Sequence, residues 1–228
     1  MSSYKIRVEL LSEGIFNSGE EQKNSVNNKV LTDKDGFVCY HAKTLKGVLK
    51  ERGELIGKNL LSISSKADII EDLLLELFGS RFNDNSISET KKGIMNLSNL
   101  EINGEVKKII KEINILDSES DGYKGITKYD LIEAQTNIRT HIQLEEGIIK
   151  DKRLGSYHTV KNGLIFISDI NFDREPAKDQ VALLNIIVNS LDYIGGCTNR
   201  GRGKVKAVLL KDDKEVSIEE SLEVILGE

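Results

Sequence analysis

The sequence predicts an α+β domain with the element order β-α-β-β-α-β, which is typical of ferredoxin-like folds. Three observations support this prediction: a strand-like alternation over Tyr4–Leu11, helical periodicity directly after it, and a strand–helix–strand series that ends at Leu210. The chain has 228 residues, enough for one large domain or two small ones. Because no repeat or interdomain linker interrupts it, we expect a single domain over residues 1–228.

The elements of the first half follow from periodicity and from the residues that begin and end them. The first strand, Tyr4–Leu11, alternates apolar and polar residues, and the polar stretch Ser12–Gly36 after it is predicted to be a surface loop. Apolar residues at helical spacing predict a helix over Thr44–Gly57, capped by Thr44. A second helix is predicted over Lys66–Phe78, with an S-x-x-D capping pattern at Ser65.

The second half contains one irregular segment and several regular ones. Asn103–Thr136 has no clear period and is predicted to be irregular, with an exposed turn at DSESDGYKG. Pro176 precedes a helix, where its fixed φ suits the first turn. The predicted elements are strands at Ile94–Ile102, Gly163–Ile170 and Lys204–Leu210, a weakly alternating segment at Ile138–Leu144, and a helix at Lys178–Tyr193.

Composition limits the ways in which this chain could bind a ligand. Aromatic residues make up only 5% of the chain and Trp is absent, which disfavours binding of single strands mainly by base stacking. The net charge of −5 also disfavours a simple polyanion binder. However, residues 211–228 hold seven acidic and two basic side chains, so this acidic tail accounts for the whole excess. The rest of the chain is neutral, and its charges can still be segregated into patches.

Cysteines and histidines give no pattern of a disulfide framework or metal site. Cys39 and Cys197 are isolated, and the three histidines are far apart. The N-terminus lacks the pattern of a secretory signal, and no apolar run reaches the length of a membrane helix. We therefore expect a cytoplasmic protein without a bound cofactor.

The most distinctive local motif is IGGCTNRGRGKV at Ile194–Val205. Its glycines allow the backbone to approach a ligand closely, and no acid separates its positive charges. This combination predicts phosphate binding, although a glycine-rich turn with solvated charges fits equally well. A nucleotide-binding P-loop is excluded, because Arg202 and Gly203 stand where Lys and Ser or Thr are needed.

A second basic motif, YHAKTLKGVLKERGE, spans Tyr40–Glu54 at the first predicted helix. Lys43, Lys46 and Lys50 surround a helix start, whose free N–H groups attract anions. An ordinary amphipathic helix with a solvated basic face is the simpler explanation. His41 could act as a general base, but no neighbouring carboxylate orients it.

The two motifs together resemble the RAMP superfamily of CRISPR effector proteins, in particular the backbone subunits of type III complexes. KTLKGVLK at Lys43–Lys50 is similar to the family's S-x-L-K-G helix start, and GGCTNRGRGKV at Gly195–Val205 to its glycine loop. LFGS at Leu77–Ser80 with the following GIMNLSNLEI, and the segment from Thr140 to Ile170, are similar to further family segments. The resemblance thus covers nearly the whole chain.

This resemblance implies a core like an RNA-recognition motif that holds a guide RNA, with target RNA, other subunits and copies of itself as partners. A core over residues 4–102 and 138–210 would carry a thumb-like insertion at about 103–136, extended by Ile138–Leu144. The implied RNA-binding residues are Lys43, Lys46 and Lys50 at the helix start and Gly195, Gly196, Arg200, Gly201, Arg202, Gly203 and Lys204 in the loop.

One departure from the family bears on catalysis. Subunits that cleave target RNA carry an Asp about twenty residues before the LKG helix, where this chain has SVNN at Ser25–Asn28. We therefore expect weak or no cleavage. The alternatives are a metal-dependent endonuclease that uses Asp33 or Asp35 with a divalent metal such as Mg²⁺, guide processing through His41, and a protein-interaction domain on the same fold.

Overall fold

A computed structural model describes residues 2–19, 29–61, 67–80, 91–118, 125–145 and 148–226. The predicted Ser65 cap, residues 119–124 of the predicted DSESDGYKG turn and the SVNN segment lie outside the described residues. The helices are α1 Ala42–Leu61, α2 Ala67–Phe78, α3 Gly104–Ser118, α4 Lys128–Gln135, α5 Lys178–Asn189 and α6 Ile218–Leu226. The strands are β1 Tyr4–Leu10, β2 Cys39–Tyr40, β3 Met95–Leu97, β4 Leu100–Ile102, β5 Thr136–Glu145, β6 Ile148–Val160, β7 Ile165–Phe172, β8 Val205–Lys211 and β9 Lys214–Glu215.

Seven of these strands form one antiparallel sheet in the order β2-β4-β7-β1-β8-β9, with β3 also paired to β7. The first strand lies at the centre, where Tyr4 is opposite Ile170 of β7 and Lys211 of β8. The alternation predicted for this strand is confirmed, because its residues at every second position are buried. The chain therefore has the α+β, ferredoxin-like core that the sequence predicts.

Helices α1, α2 and α5 pack together over the sheet and enclose one hydrophobic core. Leu45 and Leu49 of α1 and Leu184 and Ile187 of α5 are fully buried there. Leu55, also an apolar residue of α1, is 48% exposed. At about 100° per residue it lies well to one side of the Leu45–Leu49 line, so it faces outward.

Helix α1 begins at Ala42, earlier than predicted, and Thr44 is an exposed residue inside it rather than its cap. The backbone N–H of Ala42 donates to Asn99 Oδ1 at 3.0 Å. Asn99 lies between β3 and β4, which interrupt the single strand predicted over Ile94–Ile102. The cap is therefore tertiary, which explains why the local sequence does not reveal it.

The segment predicted to be irregular, Asn103–Thr136, is largely helical. It contains α3 and α4, and α4 begins with a capping box in which Thr127 and Asp130 bond each other's backbone N–H groups. The sequence prediction also missed β6, which pairs with β5 in a separate two-stranded sheet. Residues 138–160, which the sequence assigns to the core, thus lie outside the main sheet. The assignment of a thumb stays a prediction.

Two segments expected at the surface contribute to the core. The polar loop Ser12–Gly36 places Ile15, Phe16 and Val30 in the interior. The last strand predicted from the sequence, Lys204–Leu210, does not end the regular structure. The acidic tail after it forms β9 and α6, with Ile225 in the core. The Asn185 side chain of α5 donates to the backbone oxygens of Val216 and Ser217 and to Ser221 Oγ. The tail is therefore part of the fold.

Candidate nucleic-acid interface

The glycine motif forms a closed loop between α5 and β8. At its base, the N–H of Ile194 donates to the carbonyl of Gly203 at 2.9 Å, and Tyr193 bridges to Lys204. A short 3₁₀ turn, Thr198–Arg200, forms its tip, and Cys197 before it has a left-handed backbone. Residues 197–201 are exposed. The loop therefore presents its tip to solvent while its base is fixed.

Two glycines are required by this geometry. Gly195 has φ of +87°, and a Cβ there would lie 2.5 Å from the carbonyl oxygen of Ile15. Gly203 has φ of +73°, and a Cβ would overlap the carbonyl oxygen of Ile194. A positive φ and a close backbone neighbour together leave no room for a side chain. Gly201 also has a positive φ, of +74°, but faces open space.

The basic motif lies along one face of α1. Lys43, Lys46 and Lys50 are spaced three and four residues apart, so their side chains share this face. Lys43 is exposed. Lys46 Nζ donates to the carbonyl of Met95 at 2.6 Å, and Lys50 Nζ to the carbonyl of Gly79 at 2.5 Å. Burial lowers the pKa of Lys46, and the neighbouring charge of Lys50 adds to this effect.

The fold brings the two motifs into contact. The Tyr40 ring, two residues before α1, packs on the Phe16 ring with centroids 4.9 Å apart, and Phe16 also lies beside Gly195. Arg52 in α1 forms an ion pair with Asp192, which precedes the glycine loop. Motifs that are about 150 residues apart in sequence thus meet in the fold, and both carry positive side chains. This arrangement suits a phosphate-rich ligand.

The family of this chain follows from a match that covers most of its length. The model of the RAMP superfamily matches residues 7–206, a range that includes both motifs. The chain belongs to the RAMP superfamily. No curated protein sequence matches it significantly.

Solved structures share the RAMP fold of this chain at low sequence identity. A subunit of the type III-B Cmr-beta complex bound to cognate target RNA has a TM-score of 0.60 and 13% identity, covering 96% of this chain and 98% of its own. A subunit of the apo Cmr-beta complex gives 0.59 and 12%, with 92% and 98% covered. A subunit of a type IV-B CRISPR complex gives 0.58 and 12%, with 91% and 90% covered.

The arginines of the RAMP glycine loop have different environments. Arg200 is exposed at the tip, as is Lys204 at the base. Arg202, in contrast, is half-buried and forms an ion pair with Glu13. The sequence motif contains no acid, but the fold supplies one from 189 residues away. Of the predicted contacts in this loop, Arg202 is therefore the one already engaged by the protein.

The acids of the alternative catalytic site are also engaged. Asp33 accepts hydrogen bonds from the N–H groups of Asp35 and Phe37 and pairs with Lys107 at 2.7 Å. Asp35 pairs with Lys111 at 3.0 Å, and this ammonium lowers the pKa of Asp35. Within the described ranges, no cluster of three or more His, Cys, Asp or Glu side chains could hold a metal ion. His41 is an exposed residue immediately before α1.

Several residues of this surface escape sequence reasoning. Asn137 and Arg139 both contact Glu13 beside the glycine loop. No pattern in the sequence links Glu13 to these two residues. Lys92 contributes to the charge around Lys46 and pairs with Asp173 at 2.8 Å. Only the folded chain brings these residues together. None of the described helices is both long and apolar enough to cross a membrane.

Proposed function

We propose that this chain binds a guide RNA as a subunit of a type III-like CRISPR effector complex. The observation that carries the proposal is the RAMP match over residues 7–206, which contains the two motifs predicted to bind phosphate, and the fold brings these motifs together. A structurally similar subunit belongs to a Cmr-beta complex bound to cognate target RNA, which supports the same class of ligand here. We propose in addition that several copies of this chain bind side by side along one guide RNA.

In this proposal the protein holds phosphates and does not read bases. Arg200, Lys204 and the lysines of the α1 face, Lys43, Lys46 and Lys50, offer charged donors, while the glycine loop offers backbone N–H groups. Such contacts fix the register of an RNA strand without selecting its sequence. Specificity for a target then comes from base pairing with the guide. The low aromatic content does not conflict with this mode of binding.

Two measurements test RNA binding. The chain, expressed with its neighbouring genes, should purify with RNA of uniform length and a high absorbance at 260 nm. For the isolated chain, Arg200→Gln with Lys204→Gln should weaken the binding of labelled single-stranded RNA by about tenfold or more. The matched control removes two exposed lysines elsewhere, Lys178→Gln with Lys214→Gln.

The proposal fails if the wild-type chain neither carries RNA nor changes on nuclease treatment. That result favours a protein-interaction domain on the same fold. Equal losses from the loop variant and from its control would also contradict the assigned surface. Mass measurement of the complex gives the number of copies per guide and tests the repeated position separately.

We also propose that this subunit contributes little or no target cleavage. The carboxylates of Asp33 and Asp35 are engaged by Lys107 and Lys111, which disfavours their use as metal ligands. In the assembled complex, Asp33→Asn should leave cleavage of target RNA in Mg²⁺ unchanged, and His41→Gln should leave the guide length unchanged. Loss of cleavage by an Asp33→Asn complex of normal composition would overturn the proposal.

A further inference from the structure

Glu13 lies where three parts of the chain meet. Its backbone carbonyl accepts from the N–H of Gly203 at 2.8 Å. The preceding Ser12 hydroxyl donates to the carbonyl of Gly201 at 3.0 Å and accepts from the N–H of Lys204 at 2.9 Å. The loop after β1 is thus fastened along the second half of the glycine loop.

The side chain of Glu13 connects this junction to the β5–β6 hairpin. Its carboxylate accepts from Asn137 Nδ2 at 3.0 Å and from Arg139 Nη2 at 2.5 Å, both on β5, and it pairs with Arg202. The side chain is only 14% exposed. A nearly buried carboxylate between two guanidinium groups is held by both of them. Its removal would leave two positive charges facing each other, which is unfavourable.

We infer that Glu13 is a positioning residue of the RNA surface: its carboxylate fixes the glycine loop to the β5–β6 hairpin and holds Arg202 toward the protein. The loop then presents its tip, Arg200 and Lys204 to the ligand, and Arg202 serves the fold. This inference rests on the proposed RNA binding. It reassigns Arg202 from a phosphate contact to a structural one and couples the loop to the hairpin.

The sign of one mutational effect tests this role. Glu13→Gln removes a negative charge near a polyanion site, so electrostatics alone predicts tighter RNA binding. If Glu13 positions the loop, the variant should instead bind labelled single-stranded RNA about tenfold more weakly, a change of about 1.4 kcal/mol at 25 °C. The control Glu112→Gln makes the same charge change on the exposed face of α3 and should leave affinity unchanged. Unchanged or tighter binding by folded Glu13→Gln overturns the inference.

A second measurement does not depend on the stability of the Glu13 variant. Each phosphate neutralised on a single strand contributes about −0.7 to the slope of log affinity against log salt concentration. Arg200→Gln should make the slope shallower by about this amount, whereas Arg202→Gln should leave it unchanged. An equal reduction by both variants would show that Arg202 contacts phosphate and would overturn the inference.

Hydrogen exchange separates this inference from the proposed function. Glu13→Gln should speed exchange at the amides of Gly196 and Gly203 and in β5 together, while Glu112→Gln should not. This readout needs no RNA. If the wild-type chain binds no RNA, the proposed function fails, but coupled exchange would still establish that Glu13 joins the loop to the hairpin. Faster exchange in the loop alone would contradict the coupling.

Discussion

At the scale of single residues, the glycines of the glycine loop differ in whether they tolerate a side chain. Gly201 and Gly203 have nearly the same φ, but only Gly203 lies against a backbone carbonyl, that of Ile194. The left-handed backbone costs an alanine about 1–2 kcal/mol at either position. The overlap at Gly203 adds to this cost, because a backbone atom cannot move aside without loss of the Ile194–Gly203 hydrogen bond.

We therefore predict that Gly203→Ala lowers the free energy of unfolding by about 3 kcal/mol or more. Gly201→Ala, the matched control, should cost about 1–2 kcal/mol. Urea denaturation of both variants measures the difference. Equal losses would show that the loop base relaxes around the added methyl group, which would contradict the assigned close approach.

Glu13 gives the residue-scale prediction on pH. The pKa of this carboxyl is lowered from 4.5 to about 2. The hydrogen bond from Arg139 is the largest cause, burial opposes it, and the hydrogen bond from Asn137 lowers the pKa further. A carboxyl whose pKa is lower in the folded state stabilises the protein above its unfolded pKa. This stabilisation is lost as the pH falls through the folded value.

The stability difference between the wild type and Glu13→Gln should accordingly be constant from neutral pH to about 4.5 and shrink between about 4.5 and 2. Chemical denaturation across this pH range gives the difference directly. Other carboxyl groups titrate in both proteins and cancel. A difference that stays constant down to pH 2 would mean that the charge of Glu13 contributes nothing to the fold.

At the scale of elements, the acidic tail shows how a charged segment can still belong to the core. Asp212 and Asp213 form the two-residue turn between β8 and β9, both with positive φ. Asp213 also pairs with Lys5 of β1 at 2.6 Å. Beyond the turn, α6 buries Ile225 and covers α5. Its acidic residues face solvent, while Ile225 belongs to the core and Val224 packs against it.

Deletion of Asp212–Glu228 should therefore destabilise the whole domain and not simply release an interaction tail. Exposure of the surface under Ile225 costs about 1.5–3 kcal/mol, and loss of the partners of buried Asn185 costs about 1–3 kcal/mol more. Circular dichroism on heating measures the effect. A control with intact α6, Glu219→Gln with Glu223→Gln, should melt close to the wild type. Unchanged melting of the truncated chain would contradict the assignment of α6 to the core.

The hairpin β5–β6 is an element of a different kind. Its strands pair with each other and not with the main sheet. Its root is held by the carboxylate of Glu13 and by the backbone contacts of Gly14 with Val160. Of the thumb that the family resemblance implies at about 103–136 and Ile138–Leu144, the hairpin contains only the second part, and the assignment stays a prediction.

At the scale of the whole molecule, the net charge of −5 is a poor guide to the ligand. The acidic excess belongs to the tail, and its charge is partly matched by pairs such as Lys5–Asp213 and Arg7–Glu215. The positive side chains of the two basic motifs lie in α1 and in the glycine loop, outside this tail. Local charge, and not the total, determines where a polyanion binds.

RNA binding by the isolated chain should consequently depend strongly on salt and weakly on sequence. If Lys43, Lys46, Lys50, Arg200 and Lys204 each neutralise one phosphate, the slope of log affinity against log salt should be about −3.5. Fluorescence anisotropy with two RNAs of equal length and different sequence tests both features. A flat salt dependence, or a preference of more than about tenfold for one sequence, would contradict phosphate-based binding.

The sequence by itself determined the β-α-β-β-α-β order, the buried face of β1 and the two basic motifs. These features depend on short-range patterns, namely alternation, helical spacing and glycine content, which can be recognised from neighbouring residues alone. It also determined the family resemblance, which the match over residues 7–206 confirms. The sequence prediction missed helices α3 and α4 and strand β6. In α3 the helical spacing of Val106, Ile109, Ile110 and Ile113 is present in the sequence, so this helix was predictable.

Only the tertiary structure decided which residues meet. The cap of α1 comes from Asn99, the acid beside Arg202 is Glu13, and the lysines that engage Asp33 and Asp35 lie on α3. The same holds for the tail, in which Ile225 becomes part of the core because α6 packs against α5. Each contact joins segments far apart in the chain. Their geometry is set by the packing of the whole core, and no spacing in a single sequence encodes it.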